Sequence, residues 1–202
     1  MICTNCGFNN QTAAKFCGGC GSTLRIDSAG SLQAERRILS VIFCDIVGAT
    51  NISGKMDPED FRELLQSYHA ACLDVVRRYD GFLADLMGDG VVIYFGYPTA
   101  HEDDEVRAVR CAMELIDAVR SLSSRVKHSF EVRIGAHRGL VVVGSLGGAS
   151  GLHSLAVGET PNVAARVQAE AHPGEVVVSD SLWRLVNRYF EGLSLEIGRA
   201  HV

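Results

Sequence analysis

An α+β sandwich is the fold this sequence predicts, and three observations predict it. Strand-like apolar runs alternate with two long helical patterns. Between those helices lies a strand–turn–strand signature, Phe82–Met87 and Val91–Phe95 around Gly88-Asp89-Gly90. Shorter strand and helix segments then recur to the end of the chain. Strands and helices interleaved about a central hairpin predict a ferredoxin-like sandwich, with helices covering the sheet.

The elements follow in order. Residues 1–24 read as a separate small unit. Cys3, Cys6, Cys17 and Cys20 form two C-x2-C pairs, with Gly7 and Gly21 following to permit tight turns. In a reducing compartment that array favours a closed tetrahedral zinc site over two disulfides or a redox pair. So short a segment has little core, so metal ligation must supply most of its folding free energy. Residues 25–37 read as a linker, and 38–196 as the main domain. Its first strand is the apolar run Ile38–Cys44. Asp57 is a plausible N-cap, with Pro58, Glu59 and Asp60 suited to a first turn. Phe61, Leu64, Leu65, Tyr68, Cys72, Val75, Val76 and Tyr79 then repeat at helical spacing up to Asp80-Gly81. The hairpin comes next. A second helix is expected over Asp103–Leu122, with Val106, Val109, Met113, Ile116 and Val119 inward. Two strands, Phe130–Ala136 and Gly139–Val143, precede a glycine-rich loop at 144–151. A helix over Asn162–Ala171, a strand at Glu175–Val178 and a helix from Asp180 complete the domain. Residues 197–202, Ile197-Gly198-Arg199-Ala200-His201-Val202, read as one frame of a common sequencing adapter. They are therefore set apart from the fold, and the domain is expected to be truncated there.

Composition narrows the function. The chain has 202 residues, 47% hydrophobic and 21% charged, which is ordinary for a globular protein. Its net charge of −5 provides no global basic field, so neither nucleic acid nor an anionic membrane is an expected partner. No apolar run approaches a membrane span of roughly 20 residues, and the N-terminus lacks signal-peptide character. A cytoplasmic protein with reduced thiols is expected. Cys44, Cys72 and Cys111 lie singly in apolar segments and read as buried packing residues.

The chemistry gathers on four residues. Asp45 ends the first strand, and Asp89 sits at the hairpin tip. Carboxylates so placed can converge on one divalent cation, and oxygen ligands suit magnesium or manganese. Asn162 and Arg166 stand four apart, hence on one face if the segment is helical. Cation-holding carboxylates together with an amide and a guanidinium suit stabilisation of charge on a phosphoryl group. The stretch Phe43-Cys44-Asp45-Ile46-Val47-Gly48-Ala49-Thr50, then Gly88-Asp89-Gly90, Val132-Arg133-Ile134-Gly135 and Asn162–Arg166, resembles in order and spacing the class III adenylate/guanylate cyclases, from about Ile38 to Val186.

That resemblance implies a reaction. The ribose 3′-hydroxyl of ATP or GTP attacks its own α-phosphate and expels pyrophosphate, assisted by two Mg2+ or Mn2+ ions. By resemblance Asp45, Ile46 and Asp89 hold the ions, and the turn with Gly48, Ala49 and Thr50 surrounds the triphosphate. Arg133 contacts the triphosphate, Asn162 orients the ribose, and Arg166 stabilises the reacting phosphate. The metal residues and the Asn/Arg pair come from different subunits, which implies a homodimer with its sites at the interface. Asp85 and Leu155 occupy the base-reading positions and depart from the adenine-reading pair. An acidic residue there can accept from guanine N–H groups, whereas Leu155 offers no hydrogen bond. No lysine follows Lys127, so the triphosphate-binding lysine that the resemblance implies for the last strands is either missing or lies beyond the expected truncation. The resemblance therefore implies an adenylate cyclase, with a guanylate cyclase or a catalytically weak nucleotide-sensing domain as alternatives. Of the remaining polar clusters, His101-Glu102-Asp103-Asp104 reads as a helix start.

Overall fold

The computed structural model describes residues 6–10, 16–22, 35–126, 129–145 and 154–195. Two compact units divide the chain, residues 1–33 and 34–202. The larger holds a six-stranded sheet of order β2 (Phe82–Met87), β3 (Gly90–Phe95), β1 (Glu35–Ile46), β4 (Val132–Ser145) and β5 (Ser154–Val157), with β6 (Val176–Val178) pairing β4.

At its centre β1 (Glu35–Ile46) lies antiparallel to both β3 (Gly90–Phe95) and β4 (Val132–Ser145). Its residues alternate between two apolar layers, as the two-residue repeat of a strand dictates. Ile42, Cys44 and Ile46 enter the larger core, beneath α2 (Pro58–Arg78), α3 (Asp104–Ser123) and α5 (Asp180–Val186). Leu39 and Val41 face the opposite side, with Val92, Tyr94, Val141 and Ala164 of α4 (Glu159–Ala169). The α+β expectation holds, with helices on both faces of the sheet.

Local chemistry explains the helix starts. Asp57 caps α2 by accepting the Glu59 N–H at 2.9 Å, behind Pro58. Before α3 the Asp104 carboxylate accepts the His101 N–H at 2.8 Å and pairs with Arg107. Arg107 also donates to the Tyr79 carbonyl at 2.7 Å, tying α3 to the end of α2. The acidic cluster is thus a helix start, as its composition predicts. Cys44, Cys72 and Cys111 are all buried around Tyr68, whose hydroxyl lies 3.3 Å from Cys44 Sγ. Burial pushes the Cys111 thiol up to about 12. These thiols are packing groups.

Several boundaries differ from expectation. Glu35, Arg36 and Arg37, expected in the linker, already belong to β1. The two strands expected at 130–136 and 139–143 are one, because His137–Gly139 continue the ladder opposite Leu39–Val41. That strand runs to Ser145, inside the expected loop. It pairs there with β5 (Ser154–Val157), a strand the polar, glycine-rich surroundings of Leu155 concealed. Met113 is 51% exposed instead of inward. Helix α4 starts at Glu159 after Gly158, so Asn162 lies inside the helix and is not its cap. The C-terminal segment 197–202 and Cys3 lie outside the described residues. Among the described residues no helix is long and apolar enough to cross a membrane.

The last two strands, β2 (Phe82–Met87) and β6 (Val176–Val178), close the edges, β6 running parallel to β4. Where α4 crosses β4 the backbones touch. A Cβ built on Gly135 would lie 2.1 Å from the Gln168 nitrogen and 2.3 Å from its Cα. Gly135→Ala should therefore push α4 outward and cost about 1–3 kcal/mol, as overpacking does. Urea melts of the variant and wild type, read by circular dichroism, measure it; coincident curves would contradict the close approach.

Candidate functional site

The β-sheet register builds the site. Asp45 stands opposite Gly90 on β3 and opposite Arg133 on β4. Gly88, with φ 64°, turns the chain between β2 and β3 and presents Asp89. The Asp45 carboxyl is pushed up from its ordinary value by burial first, then by the neighbouring Asp89 carboxyl within hydrogen-bond reach. Arg133 and Gln168 oppose that rise. The Arg133 guanidinium lies 3.6 Å from Asp45. Two half-buried carboxyls that repel one another, with one cationic neighbour, form a donor set suited to a hard divalent cation.

The structure brings together Asp45, Asp89 and Arg133. Beside them Ile46 is buried, and Val47 donates to the Glu131 carbonyl at 2.8 Å, turning the chain out of β1. Gly48 then adopts φ 68° as the cap of the short helix α1 (Ala49–Ser53), where Ala49 is buried and Thr50 exposed. A Cβ on Gly48 would meet nothing within 4 Å, so this position needs glycine for its left-handed backbone and not for close packing. Asp85 faces Val92 across the hairpin, and its Oδ1 accepts the Leu86 N–H at 2.8 Å. Leu155 pairs with Gly144 in the β4–β5 ladder.

Asn162 and Arg166 lie elsewhere, exposed on α4. Arg166 Nε reaches the Asn162 carbonyl at 3.4 Å, and its Nη2 lies 3.9 Å from Glu159. Both side chains are therefore presented to solvent on one helix face.

Two supporting residues escape a sequence reading. His69 of α2 sits 3.0 Å from the Gly88 carbonyl and props the hairpin tip; a lone histidine on a helix carries no signal of this. Gln168 is buried next to Asp45. Its only signal is a polar residue on the apolar side of α4.

In the small unit, the sulfur atoms of Cys6, Cys17 and Cys20 lie within 4.8 Å of one another, all as free thiols. Cys6 and Cys17 sulfurs are 3.5 Å apart. A tetrahedral zinc with Zn–S about 2.3 Å would set its sulfurs about 3.8 Å apart, so the cluster fits. Burial raises the Cys17 thiol, yet hydrogen bonds from Cys20, Asn10, Gly19 and Cys6 outweigh it and lower the pKa overall. Gly7 and Gly21 take φ 74° and 70°, the turns expected after each pair.

Comparisons with known proteins identify the family. A family described as the adenylate and guanylate cyclase catalytic domain matches residues 33–197. "Adenylate cyclase 1" of Rhizobium meliloti is 32% identical over 143 residues, 69% of this chain and 22% of that protein. The chain thus spans about a fifth of that relative's length. The crystal structure of the guanylyl cyclase Cya2 superposes with a TM-score of 0.72 at 30% identity, over 75% of this chain and 79% of that one. The guanylate cyclase domain of RhGC from Catenaria anguillulae, solved with GTP, gives 0.74 at 26% identity, over 78% of this chain and 87% of that one. On these grounds the chain belongs to the class III adenylate/guanylate cyclase catalytic-domain family.

Proposed function

We propose that this domain converts ATP to cyclic AMP and pyrophosphate as a homodimer, with an N-terminal zinc ribbon as a structural appendage. The observation that carries the reading is the paired Asp45 and Asp89 carboxyls beside Arg133. Mg2+ or Mn2+, two per site and held by Asp45, Asp89 and the Ile46 backbone, would supply Lewis-acid polarisation and charge neutralisation. Arg133 would bind the triphosphate. Gly48, Ala49 and Thr50 begin a helix whose first N–H groups lack intrahelical acceptors, which suits phosphate oxygens. From the second protomer, Asn162 would orient the ribose and Arg166 would neutralise charge developing on the α-phosphate. The exposure of that pair on α4 supports donation across an interface.

A second reading, cyclic GMP from GTP, is favoured by Asp85. Its carboxylate can accept from guanine N–H groups, and an apolar Leu155 reads no base edge. A third, a nucleotide sensor with little turnover, draws on the same two residues.

Incubating the chain with Mn2+ and either nucleotide, then assaying cyclic products, distinguishes the three. Binding without turnover of either would establish the sensor. Subunit sharing has its own test. Asp45→Asn and Arg166→Ala should each abolish turnover, by about 100-fold or more for the arginine. Mixed one to one with free subunit exchange, they should recover about a quarter of wild-type activity, since half the dimers are mixed and each has one intact site. No recovery would place both groups in one protomer's site.

The cation-free protein should respond to pH in a defined direction. Asp45 titrates higher folded than unfolded, so its contribution to stability is present below the unfolded value and lost as pH rises through the folded one. Asp45→Asn should accordingly melt at higher temperature than wild type at pH 7 without cation, and the gap should narrow on acidification. A variant that melts lower at pH 7 would count against carboxyl repulsion.

For the ribbon, one zinc per chain is expected by elemental analysis, lost in Cys17→Ser. Retention of full zinc by that variant would remove Cys17 from the ligand set.

A further inference from the structure

We propose that His69 is a positioning residue that latches the turn carrying Asp89. Its ring N–H holds the central peptide of the β2–β3 hairpin in one of two orientations, and so aims the Asp89 carboxylate at the cation site. This deepens the cyclase reading and rests on it.

The ladder defines the turn. Met87 pairs with Gly90, which leaves Gly88 and Asp89 as a two-residue loop. Gly88 has φ 64°, whereas Asp89 is not among the residues with positive φ. That combination is a type II′ turn, with glycine at its first central position. The other common two-residue loop, type I′, needs positive φ at both positions, and aspartate is one of the few side chains that tolerate it. The two types differ by a flip of the peptide between Gly88 and Asp89. The flip reverses the Gly88 carbonyl and the Asp89 N–H, and it redirects the Asp89 side chain.

His69 touches the group that distinguishes them. Its Nε2 lies 3.0 Å from the Gly88 oxygen. A carbonyl can only accept, so Nε2 carries the hydrogen. The neutral Nε2–H tautomer and the imidazolium both donate, so the latch needs no particular charge state. A flipped peptide would turn its N–H, another donor, towards His69.

The latch is itself held in place. Tyr68, the residue before it on α2, is fully buried with its hydroxyl 3.3 Å from Cys44 Sγ, and its ring lies 5.4 Å from the imidazole. Consecutive residues of α2 thus engage Cys44, next to Asp45, and Gly88, next to Asp89. The hairpin tip also comes close to Asp45: a Cβ built on Gly90 would lie 3.8 Å from Asp45 Oδ1. One turn of α2 therefore fixes the backbone beside each carboxylate.

The test is Mn2+ binding to the full chain by calorimetry, together with the Gly88 and Asp89 amide signals of the cation-free protein by NMR. His69→Phe keeps a ring beside Tyr68 but has no N–H. His69→Gln loses the ring but carries an amide N–H of similar reach. The phenylalanine variant should bind Mn2+ about two- to fivefold more weakly, as one neutral hydrogen bond allows, with both turn signals shifted. The glutamine variant should restore binding and signals together. A ring that only packs gives the opposite order, and that order would overturn the proposal. His69→Met, also without a donor, should repeat the loss if the phenylalanine variant does not fold. If Asp89→Asn loses Mn2+ while the donorless His69 variants bind it as wild type does, the latch falls and the cyclase reading stands. If Asp89→Asn binds Mn2+ normally, the cation assignment beneath both is wrong.

Discussion

Mutual repulsion between Asp45 and Asp89 is the constraint around which the site is organised. The β1–β3 register places Asp45 opposite Gly90, next to the residue at the hairpin tip. Burial and the neighbouring carboxyl both resist its ionisation. A pair in that condition has few stable outcomes: a shared proton, a pairing cation from the protein, or a bound metal ion. Arg133 supplies part of the second, at a separation of 3.6 Å that leaves room for more charge.

The sheet makes this placement rigid. Immediately before Asp45, Cys44 is buried on the opposite face against Tyr68. A one-residue slip of β1 would exchange its two apolar sets between the layers and carry Asp45 into the larger core beneath α2, so the register is strongly specified. His69 of α2, one residue after Tyr68, fixes the hairpin tip. The same helical turn thus packs the core under Asp45 and steadies Asp89. Precision of this kind matters because reacting groups misplaced by an ångström lose much of their effect.

How much of this is legible in the sequence depends on whether a residue's role is local. Asp57 with Pro58 announces the start of α2, and Gly88-Asp89-Gly90 announces the hairpin, because caps and turns are set by neighbouring residues. The pairing of Asp45 with Asp89 is also legible, since each ends a recognisable strand. Gln168 and His69 are not, because their partners are 123 and 19 positions away in the chain and no spacing rule connects them. Met113 was misread for a different reason. The buried stripe of α3 runs through Ala108, Cys111, Ala112, Leu115 and Val119, and Met113 stands at its margin, half in solvent. The merging of two expected strands into β4 has a similar origin: His137, Arg138 and Gly139 look like a turn, yet β1 offers a full ladder for them to continue.

Under the proposed reading, the geometry limits how selective base recognition can be. In the proposed reading Asp85 is the one polar group at the base-reading positions. One of its oxygens already accepts the Leu86 N–H at 2.8 Å, which fixes the carboxylate and reduces what it can offer a base. Guanine presents two adjacent N–H donors on its pairing edge, and adenine presents one beside an acceptor, so the carboxylate favours guanine. Strong rejection of a competitor requires buried polar groups that the wrong ligand leaves unpaired. With a single, partly engaged carboxylate, discrimination rests on about one hydrogen bond, and such a contact is worth roughly 1.5–3 kcal/mol when charged. In the proposed reading the other assigned groups serve the triphosphate and ribose, which ATP and GTP share.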